Sequence, residues 1–573
     1  MLTDLLAVGV TYAAVAFAAW PLGLYMARVY RGQPTFLSPV MRPVERGLYR
    51  LVGVRETDDQ PWTGYLLSVL AITAVSTGLS YLQLRVQDHL PLNPQGLPAA
   101  AADLALNTAV SFATNTSWQT YSGEQTMSHL SQMLAIGTLM FLSAGTGMAV
   151  AVALVRGFTR QQAHGIGNFL VDLVRSILYV LLPLSIVGAL LLASLGVVQT
   201  LQHYTAVRTL EGAAQVIAQG PVASFEVIKD MSGDGGGYFN ANSAHPFENP
   251  NGLTNQFEIL LMLIVPFALP IAMGRLVGSM RQGVVIFLAM WCLLLAGTAA
   301  AAYAEQAGNP ALAQAGVTQA RTGLAAGGNM EGKEVRFGPV LSAQFAAAST
   351  GSGDGAVDSS HDSFTPLGGM VPLLLMKLGE LSPGGPGAGL YGILLVAIQA
   401  VFVAGLMIGR TPEYLGKKIE FHDMRLVVLG VLIVPMVILT LSAISLNLAG
   451  PATSISNPGP HGMTEMLYAF TSATVNNGSA FAGLNSNTVY YNVLLAIAMW
   501  LGRFGVVLPV LALAGALAAK RRVAEGAGTL PTGTPLFGGL LVGFVVILGA
   551  LTFFPALALA PILENLRLVA GHL

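Results

Sequence analysis

Four segments of this 573-residue chain join an apolar run too short to cross a bilayer to a tail of glycine and small polar residues. They read ALNTAVSFATNTSWQ (105–119), SFEVIKDMSGDGGGYFNAN (224–242), PVLSAQFAAASTGSGDGAV (339–357) and MLYAFTSATVNNGSAFAG (466–483). With Ser117, Gly236, Gly355 and Gly478 taken as equivalent points, the intervals are 119, 119 and 123 residues, the period of an internal repeat. Glycine and small residues after a half-helix let the chain extend with its carbonyls turned inward, and four such segments about one axis form a cage of oxygens. Such a cage suits a dehydrated cation. Potassium is the natural candidate, because calcium and magnesium favour carboxylates and retained water. Alone, DGGGYFNAN reads as a Gly-rich turn and NNGSAFAG as a hairpin turn, and Asn115 and Asn477 each begin a glycosylation sequon; the shared period and the neighbouring half-helices argue for the cage.

Elements that place such segments at membrane depth are plentiful. Hydrophobic residues make up 54% of the chain and charged residues 10%, against about 25% charged in soluble domains. That composition excludes a soluble enzyme and a disordered chain. A net charge of −1 offers no basic excess for nucleic acid, and the lone Cys292 offers neither a disulfide framework nor a thiolate metal cluster. Ten apolar runs near 4–28, 64–84, 129–155, 168–198, 256–276, 281–303, 386–409, 425–449, 491–517 and 536–562 are long enough to span. The expected fold is therefore an all-α polytopic membrane protein. Four helix/pore-loop/helix units (64–160, 165–278, 279–412 and 422–520) surround a central pore, with flanking helices at 1–30 and 533–565. Eighteen of 27 lysines and arginines fall on the side reached after odd-numbered spans, which places both termini outside the cytoplasm. The stretch GGNMEGKE (327–334) misses a phosphate-binding loop because Glu334 stands where Ser or Thr is required.

The motifs LALNTAVSFATNTSWQTYSGE, GDGGGYFNANSAHPFENP, HDSFTPLGGMVP, GLMIGRTPEYLGKKIE, NPGPHG, NNGSAFAGL and GRFGVVLP occur in this order along nearly the whole chain. In them the sequence closely resembles the potassium-binding, channel-like subunit of bacterial Kdp-type potassium ATPases, in the superfamily of potassium transporters. The resemblance implies a potassium filter of Thr114, Asn115, Thr116 and Ser117, then Gly235, Gly236 and Gly237, then Gly353, Asp354 and Gly355, then Asn476, Asn477 and Gly478. Gln119 follows the first of these. Asp354 departs from the family pattern; it either strengthens cation attraction, weakens discrimination against divalents, or points away. The resemblance further implies an inner-membrane pump completed by a P-type ATPase subunit, a single-span accessory subunit and often a small hydrophobic peptide. Potassium, K+, is then the transported ion, and this chain, which lacks a DKTGT motif, binds no nucleotide. A stand-alone potassium channel or an ion-coupled symporter is the alternative.

Charges within the spans complete the expectations. Arg503 sits mid-span, where an unpaired cation is costly. It either pairs helices or stands below the fourth filter segment as a barrier to leakage. The Pro/Gly-rich stretch containing Gly384 and Gly385 interrupts the seventh span and reads as an intramembrane loop or gate. Arg410 at its inner end is an ordinary positive-inside residue unless, as the resemblance implies, it helps close the exit. Asp172 with Arg175, and Lys377 with Glu380, have the spacing of helix-surface pairs.

Overall fold

A computed structural model describes residues 2–323, 325–407, 409–523, 526 and 529–571. Leu324 and Ile408, inside the third expected unit, lie outside the described residues. Among the described residues ten helices are long and apolar enough to span, and each coincides with one expected run: Leu2–Tyr30, Trp62–Arg85, Ser131–Thr159, Phe169–Ser194, Gly252–Val277, Met280–Gln314, Ala388–Met407, Phe421–Asn447, Val489–Ala519 and Pro535–Val569. The protein is a multi-pass membrane protein of helical class. Among the described residues strand is confined to two small hairpins, Thr205–Arg208 with Ala214–Ile217 and Glu413–Tyr414 with Lys417–Lys418.

Burial sorts the spans into layers. The third and fifth are 83% buried over their most apolar stretch, whereas the first and second are 22% and 17% buried and turn their aliphatic side chains outward. Between helices bathed in hydrocarbon, dispersion and close backbone approach replace the hydrophobic effect, so small residues mark the tight crossings. A Cβ on Gly23 would lie 2.5 Å from the Ala268 carbonyl oxygen, one on Gly157 2.7 Å from that of Ala514, and one on Gly502 1.7 Å from that of Thr474. These crossings join the first span to the fifth, the third to the ninth, and the ninth to the fourth short helix.

The four short helices are Ala102–Ala113, Val222–Ser232, Gly338–Ser352 and Gly459–Val475. Each begins on the face opposite the arginine-rich one and stops inside the protein. A further helix, Pro366–Lys377, and the seventh span flank a turn at residues 378–387, the interruption expected from the Pro/Gly pattern. Residues 381–387 of that turn are buried.

Two expected ion pairs do not form. Asp172 instead accepts hydrogen bonds from Arg156, one of them 2.7 Å long, while Arg175 reaches Glu45 at 3.1 Å and also Glu56. Lys377 Nζ has no hydrogen-bond partner and lies 5.1 Å from the Phe553 ring, away from Glu380. Asp172 and Arg175 find their partners on other elements, which spacing along one helix cannot reveal.

Candidate functional site: a ring of four loops

Just past each short helix stands a left-handed residue: Asn115 (φ 63°), Gly233 (φ 55°), Gly353 (φ 70°) and Asn476 (φ 66°). Two residues on, Ser117, Gly235, Gly355 and Gly478 are left-handed again, with φ between 55° and 94°. This alternation turns successive carbonyls the same way, a conformation that costs about 1 kcal/mol or more outside glycine and Asn/Asp. It also sets the register of the repeat. Gly235, not Gly236, is the equivalent of Ser117, Gly355 and Gly478.

The loops close into a ring. Asn115 Nδ2 donates to the Gly233 carbonyl at 2.5 Å, and Asn476 Nδ2 to Thr116 Oγ1 at 2.9 Å; Asn477 Nδ2 donates to the Ser349 carbonyl at 3.2 Å. A Cβ on Gly235 would stand 1.8 Å from the Asp354 carbonyl oxygen, one on Gly355 2.0 Å from that of Asn477, and one on Gly478 1.7 Å from that of Thr116. Each glycine thus makes room for the backbone of the next loop, and the ring passes from second to third to fourth to first. Thr114, Asn115, Thr116 and Ser117 are all buried, as are Asp234, Asp354 and Asn477. Four helix C-termini converge on this ring, and their partial negative charge favours a cation there.

Among the residues expected in the filter, Gly236 and Gly237 occupy the rim. Gln119 Oε1 accepts the Gly237 N–H at 2.9 Å and its Nε2 donates to the Gly237 carbonyl at 3.0 Å, so Gln119 splints the second loop to the first. Gly233 and Asp234 belong to the ring and were not anticipated. A signal for them existed: Ser232–Gly235 and Ser352–Gly355 both read Ser-Gly-Asp-Gly. Asp234 accepts from Ser117 and, at 2.8 Å, from Ser143 of the third span. Asp354 folds back so that Oδ1 accepts the Ala356 N–H at 3.0 Å; Asn477 makes the same turn with the Ser479 N–H at 3.1 Å. Both aspartates therefore spend an oxygen on their own surroundings.

Below the ring lies the turn of residues 378–387. Gly384 N–H donates to the Gly351 carbonyl at 2.8 Å, and a Cβ on Gly233 would meet Pro386 Cδ at 2.5 Å. Gly385 borders a cavity of about 10 Å³ shared with Asn115, Gly353, Glu380, Asn476 and Arg503. Arg503 is 5% exposed and donates from Nη2 to the Ser143 carbonyl at 2.8 Å. Asn476 and Arg503 also line a larger cavity of about 240 Å³, together with Lys377, Tyr391 and Gln399 and with Thr552 and Phe553 of the tenth span. Arg410 does not join this group. It donates to the Thr529 carbonyl at 3.0 Å on the arginine-rich face.

Ten spans around a closed ring of re-entrant loops define a polytopic ion-transport protein. Comparison with known proteins narrows that class. Residues 9–566 match the family model described as Potassium-transporting ATPase A subunit, and the chain belongs to that family. It is 54% identical over 563 residues to the potassium-transporting ATPase potassium-binding subunit of Solibacter usitatus, covering 98% of each chain. It is 52% identical over 568 residues to the subunit of the same name from Allorhizobium ampelinum, covering 99% of each. Among solved structures it is similar to the potassium transporter TrkH from Vibrio parahaemolyticus, with a TM-score of 0.54 at 14% identity, over 86% of this chain and 96% of that one. At that identity the likeness speaks for the fold.

Proposed function

We propose that the chain selects external K+ at the ring and delivers it to a partner that hydrolyses ATP, without hydrolysing ATP itself. The observation that carries this reading is the mutual fit of the ring: glycines at 235, 355 and 478 each admit a neighbouring carbonyl. Carbonyls of the residues from Thr114 to Ser117, Gly233 to Gly235, Gly353 to Gly355 and Asn476 to Gly478 replace the hydration shell of the ion. Gly236, Gly237 and Gln119 hold the rim. The four units 64–160, 165–278, 279–412 and 422–520 supply one loop each, and the helices at 1–30 and 533–565 flank them.

Exit is lateral in this reading. Arg503 places a fixed positive charge under the ring, and the turn carrying Gly384 and Gly385 closes the straight path. The side cavity along the seventh to tenth spans is the start of an intramembrane tunnel toward a P-type ATPase subunit. A single-span subunit and a small hydrophobic peptide complete the assembly in a bacterial inner membrane, with both termini of this chain extracytoplasmic. Arg410 braces the cytoplasmic face. Potassium uptake into proteoliposomes with and without the ATPase subunit tests the proposal. ATP-dependent uptake that needs both chains is expected; rapid passive flux through this chain alone makes it a channel instead.

A further inference from the structure

Behind the second loop of the ring lies a group of carboxylates that the ion path does not use. Glu226 and Asp230 stand one turn apart on the second short helix and face Glu258 of the fifth span. One oxygen from each of the three lies within 4.8 Å of the others, and all three residues are fully buried. Glu226 Oε1 is engaged, accepting from Lys229 Nζ at 2.6 Å and Ser243 Oγ at 2.9 Å. Among the described residues, Glu226 Oε2, both Asp230 oxygens and both Glu258 oxygens have no hydrogen-bond partner. Ser243 offers no further proton, because its hydroxyl already donates to Glu226 and accepts from Lys229 at 2.8 Å. Lys229 is in turn shared with Glu248 at 3.1 Å.

Buried carboxylates without a donor are among the costliest groups a fold can hold. Glu226, Asp230, Glu248 and Glu258 face one ammonium, so this group carries an excess of negative charge when ionised. Asp230 also sits in the last turn of its helix, where the carbonyl end repels an anion. Three carboxylates that each bring one oxygen within 4.8 Å of the others, with five of their six oxygens unpartnered among the described residues, meet the requirement of an oxygen-seeking ion better than that of any side chain nearby.

We propose that Glu226, Asp230 and Glu258 bind one divalent cation of calcium size, which ties the second short helix to the fifth span and braces the loop at Gly233–Gly235. Three oxygens within 4.8 Å of one another lie no more than about 2.8 Å from a shared centre, so a closure of a few tenths of an ångström brings them to the roughly 2.3–2.6 Å of calcium contacts. The donor set has no sulfur or imidazole to favour zinc or copper. Magnesium keeps several waters, which does not suit a group sealed from solvent. A monovalent ion neutralises one charge where a divalent ion neutralises two.

The test uses the assembled complex, solubilised in calcium without chelator, with metal content read by mass spectrometry and thermal unfolding compared in calcium and in EGTA. The parent should carry about one calcium per chain and melt higher in calcium, because an ion that binds only the folded state stabilises it. Asp230→Asn and Glu258→Gln should each lose most of that calcium and its effect on melting. A folded parent complex without stoichiometric calcium, melting alike in both media, overturns the proposal and leaves the carboxylates held by protons. Rubidium density at the cluster in calcium-containing buffer also overturns it, in favour of a monovalent site. Should the variants fail to assemble, the parent's metal content and melting decide.

Discussion

At the residue scale the ring ranks its glycines. Gly235 and Gly236 are both left-handed, yet a Cβ on Gly235 meets a backbone carbonyl at 1.8 Å, while one on Gly236 meets the end of the Gln119 side chain at 3.1 Å. A side-chain end can swing aside; a neighbouring loop cannot. Both alanines bear the left-handed cost of about 1–2 kcal/mol, so Gly236→Ala should weaken potassium or rubidium binding roughly tenfold and Gly235→Ala at least about tenfold more. Isothermal titration of the assembled complex reads both, and equal effects would argue against the register drawn from the backbone. Arg503→Gln removes the charge below the ring while leaving a side chain able to donate to the Ser143 carbonyl. Passive rubidium flux without ATP should rise several-fold, about 1 kcal/mol of lost barrier. A fall in stability with unchanged flux and unchanged ATP-to-ion ratio would make Arg503 a helix-pairing residue only.

At the element scale, what was legible in the sequence follows from length. All ten spans were readable because a run of about 20 apolar residues has few other uses. The break before the seventh span was readable because Pro and Gly cannot continue a helix quietly. The ring membership was not: DGGG offers three glycines in a row, and Gly235 stands apart from them through its place two residues after the left-handed Gly233 and its contact with the Asp354 carbonyl. Ion pairs failed for a related reason. Asp172 and Arg175 share a helix face in sequence, but Arg156 and Glu45 arrive from other elements, and sequence spacing carries no information about them. The turn beneath the ring yields its own prediction. A Cβ on Gly387 would lie 2.0 Å from the Gly147 carbonyl oxygen at φ 90°, so Gly387→Ala should push the turn away from the third span. Cysteine accessibility at Gly385→Cys, read by thiol labelling in the Gly387→Ala background, should increase; unchanged labelling would show that the turn is held by contacts elsewhere.

At the scale of the whole molecule, the last span is fastened to Asp362 and to the fourth short helix by one imidazole on the face where the short helices begin. His461 donates from Nε2 to Asp362 at 2.9 Å and from Nδ1 to Glu564 at 2.8 Å. Burial lowers its proton affinity, but the two carboxylate hydrogen bonds outweigh burial and raise the pKa to about 10. An imidazole held above its unfolded value, about 6.5, stabilises the fold in full below that pH and loses the contribution as pH climbs toward 10. The melting temperature of the parent should therefore fall more between pH 6.5 and 10 than that of His461→Gln. Parallel curves would show that the clamp contributes nothing. On the arginine-rich face Lys417, lowered to about 8 by burial and by Arg522 and Lys520, donates to the Arg160 carbonyl at 2.5 Å and that of Lys520 at 2.7 Å. It joins the third, seventh and ninth spans at the end opposite His461.

Whether four loops replace the water around a monovalent ion is read by rubidium anomalous diffraction, or by a density map in potassium set against one in a large organic cation. Ion density should stand on the ring axis, within coordination distance of carbonyls from all four loops, and vanish in the organic cation. Density confined to one or two loops, or an empty axis in saturating potassium, would contradict it.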